Sequence, residues 1–187
     1  MTEVTGGVQL GPWAETQILL FDPQVEESHS LITEEALPDL GQSIALTAEN
    51  SQTGQSHFRG GIFLHNAYHN PLTLSTTQAV RISGQINIDP LHVGQTADIV
   101  IVARWTSLVG EEKYFMQNSN GQIQSWDLNF AHLVAAQEQV TLSAIQAVDI
   151  YTGLLNVGQF QIFFGYRLAD NTLFFNGEQP ILVTSYQ

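Results

Sequence analysis

Between Phe160 and Leu168 the residues Phe160, Ile162, Phe164, Tyr166 and Leu168 alternate with Gln161, Phe163, Gly165 and Arg167. A period of two is what a half-buried strand requires, because successive side chains of an extended chain point to opposite faces of a sheet. The same period recurs upstream. Val80, Ile82, Gly84, Ile86 and Ile88 share one face, Arg81, Ser83, Gln85 and Asn87 share the other, and Asp89 with Pro90 ends the run. Between them, Asp98 to Trp105 is almost continuously apolar and β-branched (Ile99, Val100, Ile101, Val102). Such a run predicts a central strand covered on both faces.

Turn residues divide the rest into short pieces. Glu111 to Met116 predicts a strand closed by the polar turn Asn118 to Gly121, and Gln139 to Ala144 continues through Val148 to Tyr151. Asp170 and Asn171 predict a hairpin before Thr172 to Phe175, and Asn176 and Gly177 a second before Ile181 to Ser185. Only Leu128 to Gln137 reads as a short helix, with Leu133 and Val134 as its buried residues. Many short strands without a βα alternation predict an all-β chain, an antiparallel β-sandwich of Ig-like or jelly-roll-like kind.

The first part of the chain is less regular. Residues 1–50 carry nine acids and no Lys or Arg. Thr16 to Phe21 reads as extended, Asp22 to Gly41 as an acidic connection with a helical turn at Ser30 to Leu37, and Ser43 to Ala48 as weakly alternating. Glu49 to Ser56 reads as a polar loop before Gly61 to Tyr68. A boundary near Pro71 therefore separates an acidic N-terminal segment, residues 1–72, from a β-sandwich domain, residues 73–187. The segment takes the form of extra strands, an arm or a small subdomain.

Charge and composition exclude several functions. The chain of 187 residues holds 18 acids against 5 bases, a formal net charge of -13. Five bases cannot neutralise a run of phosphates, so nucleic acid is excluded as a partner. Anionic membranes are disfavoured for the same reason, and no apolar run approaches the ~20 residues that span a bilayer. With no Cys there is no disulfide framework, thiolate metal site or thiol nucleophile. Met1 to Gly11 lacks the basic start and apolar run of a secretory signal. Low Lys and a surface rich in Thr, Gln and Asn favour a piece of a longer extracellular or cell-surface protein.

Candidate chemistry is sparse. His65, Asn66 and His69, with His57 nearby, form the one metal-like cluster. Asn66 stands where an HExxH motif needs Glu, and on a strand His65 and His69 lie ~13 Å apart. The expectation is a structural or solvent-exposed role. The acid pairs Glu26–Glu27, Glu34–Glu35 and Glu111–Glu112 lack the spacing of a calcium loop, so no cofactor is expected, with calcium as the low alternative. There is no GxSxG, GxGxxG or P-loop, and no enzyme activity is expected. Trp13, Trp105 and Trp126 with Tyr114, Tyr151 and Tyr166 leave a sugar-stacking platform open, but Trp105 and Trp126 read as core residues. Trp13, beside Gly11 and Pro12, reads as partner-facing. Ile18 and Leu20, within the apolar run Ile18 to Phe21, complete the candidate partner-binding set.

The runs AVRISGQINIDPLHVGQTADIVIVARW, YFMQNSNGQIQSWDL, VTLSAIQAVDIYTGLL and FQIFFGYRLADNTLFF resemble a β-sandwich module found in large bacterial extracellular or surface proteins, often beside cadherin-like or Ig-like repeats. The matching stretch is about residues 79–184. Its most specific elements are Asp98 in TADIVIVA, Trp126 and Asp127 in SWDL, and Phe164 to Asp170 in FGYRLAD. The resemblance implies a non-enzymatic spacer or adhesion unit and carries no catalytic residues. The expected function is thus a structural or adhesive module that contacts protein. Self-association follows if Gln9 to Phe21 adds as a strand to a neighbouring copy. The alternative is a carbohydrate-binding or ligand-sensing β-sandwich.

Overall fold

The computed structural model describes residues 36–47 and 49–187. Thirteen strands follow in chain order: β1 (Asp39–Leu46), β2 (Ser51–Leu64), β3 (Ala67–His69), β4 (Leu72–Ser75), β5 (Val80–Asn87), β6 (Thr96–Thr106), β7 (Glu112–Gln117), β8 (Ile123–Ser125), β9 (Gln137–Thr141), β10 (Ile145–Gly153), β11 (Gly158–Leu168), β12 (Leu173–Phe175) and β13 (Ile181–Tyr186). One 3-10 turn, Phe130–His132, precedes β9. Among the described residues no helix is long and apolar enough to cross a membrane.

The described part of the protein is all-β, as the alternation predicts. Its strands join one hydrogen-bonded sheet whose main path is β10-β5-β2-β1-β12-β11-β6-β7-β8. All pairings are antiparallel except β4 beside β13. The sheet curls on itself. β2 and β11 stand three places apart on that path, a gap of about 14 Å in a flat sheet at ~4.8 Å per strand. Yet Phe58 of β2 and Phe164 of β11 meet edge to face with ring centroids 5.3 Å apart. β5 comes closer still, since a Cβ at Gly84 would lie 2.4 Å from the Phe164 ring. The glycine read from sequence as one more inward position of β5 is what lets the two arms of the curl touch.

The interior of the curl is the main core, with Leu40, Phe58, Ile62, Ile82, Ile86, Ile99, Phe164, Tyr166 and Ile181 all nearly inaccessible. A second cluster sits on the outer face of β6 and β12, where Val100, Leu173 and Met116 pack against Leu133 from the segment between β8 and β9. The first half of β6 is therefore covered on both faces, as its continuous apolar run predicts.

Several local expectations fail for physical reasons. The polar stretch Ser51 to Gln55 is not a loop but the start of β2, paired with β1 through Leu46 opposite Ser51 and Ile44 opposite Thr53. Ladder bonds use the backbone, so its exposed polar side chains cost the strand nothing. The helix expected at Leu128 to Gln137 is a single 3-10 turn capped by the Asn129 side chain, and Leu133 is already extended at φ -69° and ψ 114°. Leu133 is nevertheless buried.

Asn176 and Gly177 do not close a hairpin either. β12 and β13 lie end to end along the same side of β11, pairing with Gly165 to Arg167 and Gly158 to Ile162 respectively. Asn176 fills the gap between them. Its Oδ1 accepts the Phe164 N–H at 2.8 Å, and its Nδ2 donates to Ile162 O at 3.4 Å and Gln179 O at 3.2 Å.

Of the three forms left open for residues 1–72, the described part takes that of extra strands. β1 and β2 lie inside the sheet path and supply Leu40, Ala45, Phe58 and Ile62 to the core, so Pro71 falls between β3 and β4 of the same unit. That unit spans residues 34–187. The expectations for Thr16 to Phe21 and for most of Ser30 to Leu37 lie outside the described residues.

Candidate functional site

The two ends of the curled sheet border a common groove of about 250 Å³. β10 forms one bank, and β7 and β8 the other. Its floor is made of core residues Ile82, Ile101, Ile150 and Ile162, and its rim of Phe115, Ile123, Tyr151 and Leu154. The rim is apolar and open, with Ile123 52% and Leu154 57% exposed. The Tyr151 hydroxyl donates to Leu154 O at 2.7 Å and so holds the loop after β10 in place. Among the described residues β10 pairs only with β5, along one of its two edges.

A second groove, of about 290 Å³, lies on the outer face of β6, β11 and β12. Val102, Phe163 and Phe175 point outward there, where a two-sided pattern would place polar residues, and Trp126, Leu128 and Phe130 overhang them. Trp126 Nε1 donates to Asn129 O at 3.0 Å, and its ring meets Phe130 at an interplanar angle of 77°. Phe163 meets Phe175 at 63°. Arg104 lines the groove and pairs with Glu112, which holds the Glu112 carboxyl below its usual range. Such a surface suits apolar side chains better than a flat sugar ring.

The buried polar groups form a chain of hydrogen bonds. The Tyr166 hydroxyl, fully buried, lies 2.7 Å from Ser56 Oγ and 2.8 Å from His92 Nδ1. Ser56 Oγ also accepts the Asp89 N–H at 2.9 Å. Burial pushes the Tyr166 hydroxyl up to about 12, against the pull of the Ser56 bond, and the nearby Asp89 adds to the rise. A Ser, a His and an Asp thus stand close together, but Ser56 is fully buried and its hydroxyl is engaged with the Tyr166 hydroxyl and the Asp89 N–H.

The residues singled out from sequence are scattered. Trp13, Ile18 and Leu20 lie outside the described residues, as do Glu26, Glu27, Glu34 and Glu35. His65 and Asn66 take positive φ in the tight turn between β2 and β3, and His69 belongs to β3. His57 sits apart from them, 2.9 Å from Asp39. Among the described residues no group of three or more His, Asp or Glu side chains is placed to hold a metal ion. Trp105 is half-buried, its Nε1 donating to Val157 O at 3.0 Å, with Lys113 over its ring at 5.5 Å.

The groove residues Ile82, Ile101, Ile150 and Ile162 were legible as core but not as a site. Nothing in a strand pattern says whether a sheet's last strand finds a neighbour. Comparison of the chain with protein-family models, with curated proteins and with solved structures finds no match in any of the three.

Proposed function

We propose that this protein acts without catalysis, as a structural or adhesive module of a bacterial surface or extracellular protein, through contacts with protein that include self-association. The observation that carries the reading is the apolar groove between the two ends of the curled sheet, bordered by an edge of β10 with which no described strand pairs. An uncovered strand edge is a template for pairing with another chain. Other exposed apolar side chains add to it, notably Leu108 and Val109 at the β6–β7 turn. The surface and extracellular placement rests on the resemblance of residues 79–184 and on the Cys-free, base-poor composition. The finer fold class, an Ig-like or jelly-roll-like sandwich, belongs to the same reading and is supported by the touch of β2 and β5 on β11 across the core.

Carbohydrate binding is the weaker reading. It calls for flat rings side by side at the surface, whereas the outer-groove rings meet at 77° and 63° and the parallel pair Tyr166–Phe174 is buried. Light scattering on the full chain across ~1 to 100 µM, the range in which weak specific contacts form, is the test. Concentration-dependent association is expected. A monomer throughout that binds immobilised polysaccharide would replace this reading with the alternative.

A further inference from the structure

Resting on the self-association reading, we infer that the groove between β10 and the β7–β8 end receives one segment, Ile18 to Phe21, from a second copy of this chain. The curl brings both ends of the sheet to one groove and no described strand joins them, so a strand laid between them would extend the sheet. On the β10 side, the Ala147 carbonyl accepts from a side chain of its own strand, Gln146 Nε2 at 3.3 Å. Ala147 itself is exposed.

The groove also sets the chemistry of its occupant. A strand there turns every second side chain onto a floor of isoleucines, so its inward positions must be apolar at i and i+2. Ile18 and Leu20 satisfy that spacing, and Leu19 and Phe21 supply apolar groups to the other face. The run is flanked by Glu15 and Asp22, within a segment of residues 1–35 that carries seven acids and no Lys or Arg. Lys113 lies two residues before Phe115 on β7, hence on the same face as that rim residue, and offers a cation where the acidic flank would pass. Fourteen residues separate Phe21 from Ala36, and at ~3.3 Å per residue such a link spans up to about 46 Å.

The experiment is a complementation between two full-length double variants. Ile18→Asp with Leu20→Asp disables the donor segment, and Ile123→Asp with Leu154→Asp disables the rim at two exposed positions whose substitution spares the core. The wild-type chain is expected to associate, and each variant alone to remain monomeric with an apparent Kd at least ~100-fold weaker. An equimolar mixture should regain a discrete heterodimer, because one partner keeps a working segment and the other a working groove. Thermal unfolding of each variant within a few degrees of wild type confirms that folding is not the cause. If the wild type associates but the rim variant associates equally well, this site is wrong while the self-association reading stands. A wild type that stays monomeric across the range overturns both.

Discussion

Replacing Tyr166 by phenylalanine removes one oxygen from the centre of the curl and leaves the ring in place, stacked on Phe174 at 5.0 Å and 11°. Two hydrogen bonds disappear, to Ser56 Oγ and His92 Nδ1. His92 is half-buried and can turn to water, but the fully buried Ser56 hydroxyl loses one of its two partners and keeps the Asp89 N–H. At ~1 kcal/mol per lost bond, the variant should be about 2 kcal/mol less stable at pH 8. For a chain of this size that is roughly a 4–8 °C fall in Tm.

The second signature is alkaline. The folded Tyr166 hydroxyl is raised from 10.0 to about 12, chiefly by burial. A folded value above the unfolded one means that this contribution is whole below pH 10 and is lost as pH rises from 10 towards 12. Two pH units at 1.36 kcal/mol each give up to about 2.7 kcal/mol. Phenylalanine has no proton to lose, so the two proteins should converge in stability between pH 10 and 12. Urea unfolding at pH 8, 10, 11 and 11.5 measures both effects. Equal stability at pH 8, or an unchanged gap at pH 11.5, refutes the account.

Three further outcomes follow from the packing. Asn176→Ala strips the Phe164 N–H of its acceptor inside the sheet and should cost on the order of 3 kcal/mol by chemical denaturation. Gly84→Ala drives a methyl against a Phe164 ring already held by Phe58, so calorimetry should show a loss of at least about 1–3 kcal/mol. Leu133→Ala should cost about 2–3 kcal/mol and raise hydrogen exchange across residues 126–136, because Leu133 anchors that segment on Val100 and Leu173.

The strands that could be read from the chain are those whose two faces differ in environment. β5 and β11 alternate because one side of each meets the core, and β6 is uniformly apolar because both sides of its first half are covered. The errors arise where backbone pairing or tertiary packing, not side-chain pattern, decides the structure. Ser51 to Gln55 is held by β1 with its side chains in water, and β1 in turn is completed by β12, whose Phe175 lies opposite Ile44. Asn176 and Gly177 carry a hairpin signature, but the buried gap beside Phe164 captured the amide. The break expected at Pro71 followed a change in charge, which reports surface, while Leu40 and Phe58 had already committed the acidic stretch to the core. The groove was hidden because its floor obeys the same rule as the rest of the interior.

The position of β1 also dictates when the molecule can exist. One flank of this strand is closed by β2, its neighbour in sequence, but the other waits for residues 173–175, and β4 waits for β13 at Ile181–Tyr186. In a nascent chain these two edges therefore stay unpaired until residues 173–186 have left the ribosome. Such distant pairings place folding on the millisecond-to-second scale. During that interval the β1 and β4 edges are templates on which neighbouring nascent chains can pair.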